Sequence, residues 1–313
     1  MENSGQLDAR ALFYVAVAML TWSSSYAAIA YGMGAFTPGE VAFCRLFLGS
    51  ICFVLWMRIR KLRLPPLSAW PPLLALGLAG LAAYHLCLNY AETRIASGTA
   101  AIIIALAPAA TAAASASWLR ERLSARAIAG LAVALAGVVL VVLTTGNHVS
   151  FQPKAALVLV SVLAAAIYFT LQKPFSARYG VEAVTAVTFI GGVLGTVPFA
   201  TGLPHALLAA PHSRVAALIW LGLAPTFLGY LTWNLALQRA SVGKVSSFIY
   251  SSTPLALLIS WLWLGERPGA ATLVGAVIVV GGVVLTNTKP RAAATQRRPR
   301  APRCASGAPA RVP

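Results

Sequence analysis

The chain has 313 residues, 59% of them hydrophobic and only 10% charged, with a net charge of +17. Apolar runs follow one another from Ala11 to Asn287 with short polar breaks between them, and each is about the 20 residues that cross roughly 30 Å of hydrocarbon as a helix; this excludes a soluble domain and predicts a polytopic all-α membrane protein. The basic residues lie in the breaks and in the tail, so they read as topology signals and not as a nucleic-acid surface.

The segment Met1 to Arg10 contains acids and the first apolar run continues at full span length, so no cleavable leader is expected. Ten transmembrane helices are predicted, near Ala11 to Tyr31, Pro38 to Met57, Ala69 to Tyr90, Ile95 to Leu119 and Arg126 to Thr144, then Lys154 to Gln172, Glu182 to Gly202, Val215 to Leu235, Val245 to Leu264 and Ala270 to Asn287. Residues 288–313, rich in Arg, Pro and Ala, cannot bury enough apolar surface to fold alone and are expected to be a disordered basic tail. With a cytoplasmic N-terminus, nineteen Lys and Arg fall inside and only Arg94, Lys154, Arg214 and Arg267 fall outside. That asymmetry predicts that both termini are cytoplasmic.

The stretch Asn89 to Leu140 returns 145 positions later as Asn234 to Leu285. Asn89, Ala91, Arg94 and Gly98 are answered by Asn234, Ala236, Arg239 and Gly243, and Gly137-Val138-Val139-Leu140 by Gly282-Val283-Val284-Leu285. Weaker matches at an offset of 142 pair Tyr26, Glu40, Phe47 and Gly49 with Tyr168, Glu182, Phe189 and Gly191. A match of this length at one offset indicates a duplicated structural unit, here spanning 11–144 and 154–287. Five spans per unit is an odd number, so the second must enter the membrane the other way up. Such inverted five-helix repeats are a recurring design of secondary transporters.

The phrases Trp118-Leu119-Arg120-Glu121-Arg122 and Trp263-Leu264-Gly265-Glu266-Arg267 each precede a Gly-rich apolar span. Together with Trp22-Ser23-Ser24-Ser25, Arg45, Pro108 and Pro254, in this order and repeated, they resemble the EamA family of the drug/metabolite transporter superfamily. The resemblance covers both halves. It implies ten helices around a central substrate cavity and the movement of small metabolites, without naming a solute.

Several residues stand out within the spans. Arg45 falls near mid-membrane, where an unpaired arginine costs on the order of 2.5 to 3.5 kcal/mol, so it must face protein or a wet cavity. It reads either as a clamp for a solute carboxylate or as a structural cap on a neighbouring helix. His85, preceded by Tyr84 and on one helical face with Asn89, reads as a proton carrier or as a buried structural histidine. It is the deepest candidate for proton coupling, because the glutamates, Glu92 included, fall at span ends or breaks. Trp22, Ser23, Ser24 and Tyr26, Tyr168 and Gln172, Tyr230, Trp233 and Asn234, and Tyr250 and Ser251 should turn away from lipid. They line a solute cavity, or serve as interhelical bonds and interface anchors. Pro108 and Pro254, at related places in the fourth and ninth spans, should kink them, as hinges or as static bends. Glycine and alanine ridges such as Gly130, Ala134 and Gly137 predict close helix contacts.

No catalytic constellation, metal-ligand cluster or nucleotide loop is present in the sequence, and neither enzyme nor cofactor is expected. Cys44, Cys52, Cys87 and Cys304 show no ligand spacing. The expected function is secondary transport of a small organic metabolite, an amino acid, a related compound or a drug, exported across the bacterial inner (plasma) membrane by alternating access. The partners are then the solute and the bilayer, one chain sufficing for the site. The competing reading is a membrane scaffold, with an intramembrane enzyme further behind.

Overall fold

The computed structural model describes residues 8–118, 125–143, 153–239 and 248–287. Helix α1 (Ala9–Gly32) begins where the Asp8 carboxylate accepts the Ala11 N–H at 2.6 Å. Helix α2 (Pro38–Ile59) begins at a capping box: the Thr37 hydroxyl accepts the Glu40 N–H and the Glu40 carboxylate accepts the Thr37 N–H, which ties down two end groups the helix itself leaves unmet. The third span is α3 (Trp70–Leu76), a π-helical turn over Gly77–Ala82 and α4 (Ala83–Glu92). The fourth is α5 (Ser97–Ile104) and α6 (Ala107–Trp118), followed by α7 (Ala125–Leu143).

The second half repeats this plan. Helices α8 (Pro153–Tyr179) and α9 (Val181–Thr196) are followed by a short helix, α10 (Leu203–Ala209), in the long break before the eighth span. That span is α11 (His212–Leu221), a π-helical segment over Gly222–Leu228 and α12 (Gly229–Arg239). Then come α13 (Ser252–Leu264), entered through a 3-10 turn at Phe248–Ser251, and α14 (Ala270–Asn287). Among the described residues six helical runs are long and apolar enough to cross a bilayer, and Ser97–Thr111, Ile128–Val141, Ser252–Leu264 and Ala270–Leu285 are shorter apolar helices. The chain is an all-helical, multi-pass membrane protein.

Three features depart from the expected spans. The fourth and ninth spans are not single kinked helices. Pro108 is the second residue of α6 and Pro254 the third of α13, so each lies in a first turn, where a missing N–H breaks no helical bond. The eighth span contains a proline that does lie inside helical backbone, Pro225, within the π segment. And α8 runs through Pro174 to Tyr179 beyond the expected end at Gln172. The expected tail and the breaks at 119–124 and 240–247 lie outside the described residues.

The π segments fall at corresponding places in the two halves. Leu76-Gly77-Leu78-Ala79 and Leu221-Gly222-Leu223-Ala224 are identical and 145 positions apart, and each opens such a segment. In both, a glycine allows close approach. A Cβ on Gly77 would overlap the Thr188 carbonyl of α9, and one on Gly222 would meet Leu48 Cβ of α2.

Helix pairing follows the same exchange of halves. Helix α2 lies along α9 and α7 along α14, while α4 packs on α8 as α12 packs on α1, and α6 on α8 as α13 on α1. The ends are tied as well. At one end Arg239, closing α12, pairs with Asp8 at 3.3 Å. At the other, Tyr31, near the end of α1, donates to Ser213 Oγ at 3.1 Å, packs tilted against Trp263 with centroids 5.9 Å apart and receives Arg214 over its ring at 3.9 Å. Arg214 also donates to the Tyr31 carbonyl.

Candidate functional site

The π segment of the eighth span builds the centre of the site. Beside Pro225 in that segment, the Thr226 hydroxyl donates to Leu221 O at 2.7 Å. Its proton engaged there, the hydroxyl oxygen accepts Arg45 Nε at 2.8 Å. The Pro225 carbonyl in turn accepts the Trp22 indole N–H at 3.0 Å. One local irregularity in the second half thus orients an arginine and a tryptophan of the first.

Arg45 is 4% exposed, so it faces protein and not lipid. Tyr26 of α1, Tyr84 of α4 and Tyr230 of α12 surround it within electrostatic reach, as does Glu92. Tyr168 of α8 bonds Thr188 of α9 at 3.1 Å. An aromatic wall continues from this shell. Trp22 lies 5.5 Å from Tyr230 and 5.3 Å from Trp233, and Tyr230 meets Phe189 edge-on at 5.3 Å, separations typical of favourable ring pairs.

Four buried groups in and beside the shell have polar atoms without a protein partner: Arg45 Nη1, both ring nitrogens of His85, Glu92 Oε1 and Asn89 Oδ1. His85, only 1% exposed, stacks edge-on against Tyr84 at 4.8 Å. Buried polar atoms are paired in the great majority of cases, so these atoms are the candidate contacts for a polar solute. The chemistry offered is a guanidinium edge for an anionic group, phenol and imidazole donors, and aromatic faces for an apolar portion.

Of the residues expected from the sequence, the structure gathers Trp22, Tyr26, Arg45, Tyr84, His85, Tyr168, Tyr230 and Trp233. Others bond to the protein itself. Ser23 Oγ donates to the Ser252 carbonyl at 3.1 Å, Ser24 Oγ accepts from Trp220 at 3.0 Å, and Asn89 Nδ2 donates to the Pro38 carbonyl at 2.9 Å. Ser251 Oγ closes its own turn on Phe248 O at 2.6 Å. Gln172 Oε1 and Asn234 Nδ2 are buried without partners, Pro254 is exposed, Pro108 is half-buried, and the Tyr250 side chain lies outside the described residues. Sequence reasoning missed Thr226 and the burial of Glu92, which is 7% exposed although it ends α4. A Pro-Thr pair inside an apolar run was the available signal for the first. For the second there was none, because a span-end glutamate looks the same whether it meets water or protein.

The family model for EamA-like transporters matches residues 9–143 and again 152–288. A probable terminal-alkyne amino-acid exporter of Streptantibioticus cattleyicolor is 30% identical over 280 residues, 90% of this chain and 94% of the relative. The uncharacterised transporter YdfC of Bacillus subtilis is 30% identical over 86% of this chain and 88% of its own. An uncharacterised transporter of Archaeoglobus fulgidus is 30% identical over 88% and 98%. A protein of known crystal structure shares the fold with a TM-score of 0.60 at 23% identity, covering 88% of this chain and 95% of its own. The chain belongs to the EamA-like transporter family.

Proposed function

We propose that the protein is a secondary transporter that exports a small organic metabolite carrying an anionic group, an amino acid or close relative first among them, through a site centred on Arg45. The observation that carries this reading is the cluster of unpartnered buried polar atoms at Arg45 and His85 beside the Trp22, Tyr230 and Trp233 rings. A carboxylate suits the free edge of the Arg45 guanidinium, and the rings suit an apolar side chain. The relative named as an amino-acid exporter supports the same solute class.

In this reading residues 11–144 and 154–287 are inverted five-helix repeats that rock about the shared site, opening it to either side in turn. The exchange of helix pairs between halves supports the two-fold relation. Inversion is supported by the end contacts, since α5 starts beside Glu266, after α13, and so runs away from the end that holds Trp263. The breaks before Pro108 and Pro254 are the flexing points. Both termini are cytoplasmic in the plasma membrane, a single chain completes the site, and the basic tail from Arg291 onward is dispensable for transport.

Counterflow in proteoliposomes tests the proposal. Vesicles preloaded with unlabelled amino acids and related carboxylates should accumulate labelled solute. Arg45→Gln should abolish this, and Arg45→Lys should weaken apparent affinity about tenfold, as expected when a point charge replaces a two-pronged donor. No counterflow of any solute across a broad panel, or normal counterflow in Arg45→Gln, overturns it.

A further inference from the structure

Two carboxylates meet at the end of the bundle that holds Tyr31 and Trp263. Helix α13 ends on Gly265, whose φ of +70° is a left-handed conformation natural to glycine, and this turn aims Glu266 across to the first half. There Glu266 Oε1 accepts the Ser97 N–H at 3.1 Å and Oε2 the Gly98 N–H at 3.2 Å. It caps α5, whose own N-cap residue, Ala96, has no side-chain oxygen to do so. An ionised carboxylate suits two N–H donors at the positive end of a helix.

Glu92 approaches the same serine from within its own half, with the Ser97 hydroxyl donating to Oε2 at 3.4 Å. Its other oxygen is buried and unpartnered. The titratable groups that face Glu92 are Glu266, Arg45 of α2, Tyr26 of α1 and Tyr84 of its own helix. Lys154 of α8 comes near as well, but donates to Thr93 Oγ1 at 2.9 Å. Glu266 therefore has two N–H donors, and Glu92 a single long hydroxyl bond. Two ionised carboxylates converging on one residue repel, and a single proton between them removes the repulsion.

We propose that Glu92 and Glu266 form a one-proton site that must be occupied for the two halves to close at this end. Protonation of Glu92 lets Glu266 seat on α5 and draws α13 against the first half, while loss of the proton drives the two apart. This rests on the rocking-halves reading above and adds the coupling ion: a proton taken up at this end closes it and returns the carrier to face the opposite side. His85, the candidate indicated by sequence depth, is then free to serve the solute.

Closure can be read without transport. In a background lacking the native cysteines, Tyr31→Cys with Trp263→Cys reports closure through crosslinking by a short bifunctional thiol reagent, since these side chains touch across the two halves. In purified protein the crosslinked fraction should rise as pH falls, the closed-to-open ratio changing by up to about tenfold per pH unit for one proton. Glu92→Gln should hold it at the high level at every pH. Glu266→Gln, which removes the repulsion from the other side, should also abolish the pH response, and it keeps the proposal testable if the Glu92 variant does not fold. Titrating sodium in choline buffer at fixed pH should have no effect.

A pH response that survives either variant, or closure that follows sodium instead, overturns the proposal. The arms separate it from the function itself: solute counterflow with pH-indifferent closure sinks only the proton site, whereas pH-dependent closure in a protein that moves no solute sinks only the transport reading.

Discussion

Gly137 and Gly282 occupy corresponding places in one self-complementary seam. A Cβ on Gly137 would stand 2.8 Å from the backbone nitrogen of Val279, and a Cβ on Gly282 would overlap that of Ala134. Both glycines and both partners are separated by 145 positions, so α7 and α14 meet as two copies of one surface related by a two-fold, the geometry of an isologous interface held within a single chain.

Leucine at Gly137 or Gly282 should therefore lower stability by similar amounts, about 1 to 3 kcal/mol each, because the obstacle is backbone and cannot yield. Gly281→Leu is the control, since nothing lies within 4 Å of its missing Cβ, and should leave unfolding unchanged. Thermal unfolding in detergent, read by intrinsic fluorescence, decides it; markedly unequal effects at the two glycines would contradict the two-fold seam.

The hydroxyl that links Leu221 O to Arg45 makes Thr226 the support of the site. Thr226→Val keeps the shape but strips a charged group of its partner, a loss of about 1.5 to 3 kcal/mol. Thr226→Ser should recover most of it. Unfolding midpoints of the three proteins give the comparison, and a fully stable valine variant would show that Arg45 does not depend on this bond.

Pro225→Ala should change stability by less than about 1 kcal/mol. The equivalent π segment at Gly77–Ala82 forms without a proline, and the Pro225 carbonyl that holds Trp22 is retained in alanine. Gly77→Ala should cost more, because its Cβ would strike the Thr188 carbonyl. Unfolding measured side by side tests the ranking, and the reverse order would make the proline, not the glycine contacts, the cause of the π turns.

Single cysteines at Trp118 and Trp263, both exposed, should react with an impermeant thiol reagent from opposite sides of the membrane, Trp263 from outside intact spheroplasts and Trp118 only after permeabilisation. Labelling of both from one side would remove the inverted topology and the alternating-access reading with it.

The amino-acid sequence by itself was enough for the all-helical, multi-pass class and for the family. Hydropathy at bilayer length is a property of residue order, because lipid obliges every span to satisfy its backbone internally and to announce itself by apolar length. The glycine ridge holding Gly137 was legible for the same reason. The site was legible only in part. Arg45, His85 and the aromatic residues stood out by being costly in lipid, but whether Ser23 or Asn89 faces a solute or a helix cannot be read from the residue itself. Only the tertiary structure showed that the Thr226 hydroxyl joins Leu221 O to Arg45, and that Glu266 crosses from one half to meet Ser97 beside Glu92. Each of these joins residues that are distant in the chain or separated by a helix turn with no regular period, and a contact of that kind exists only once the two halves are folded against each other.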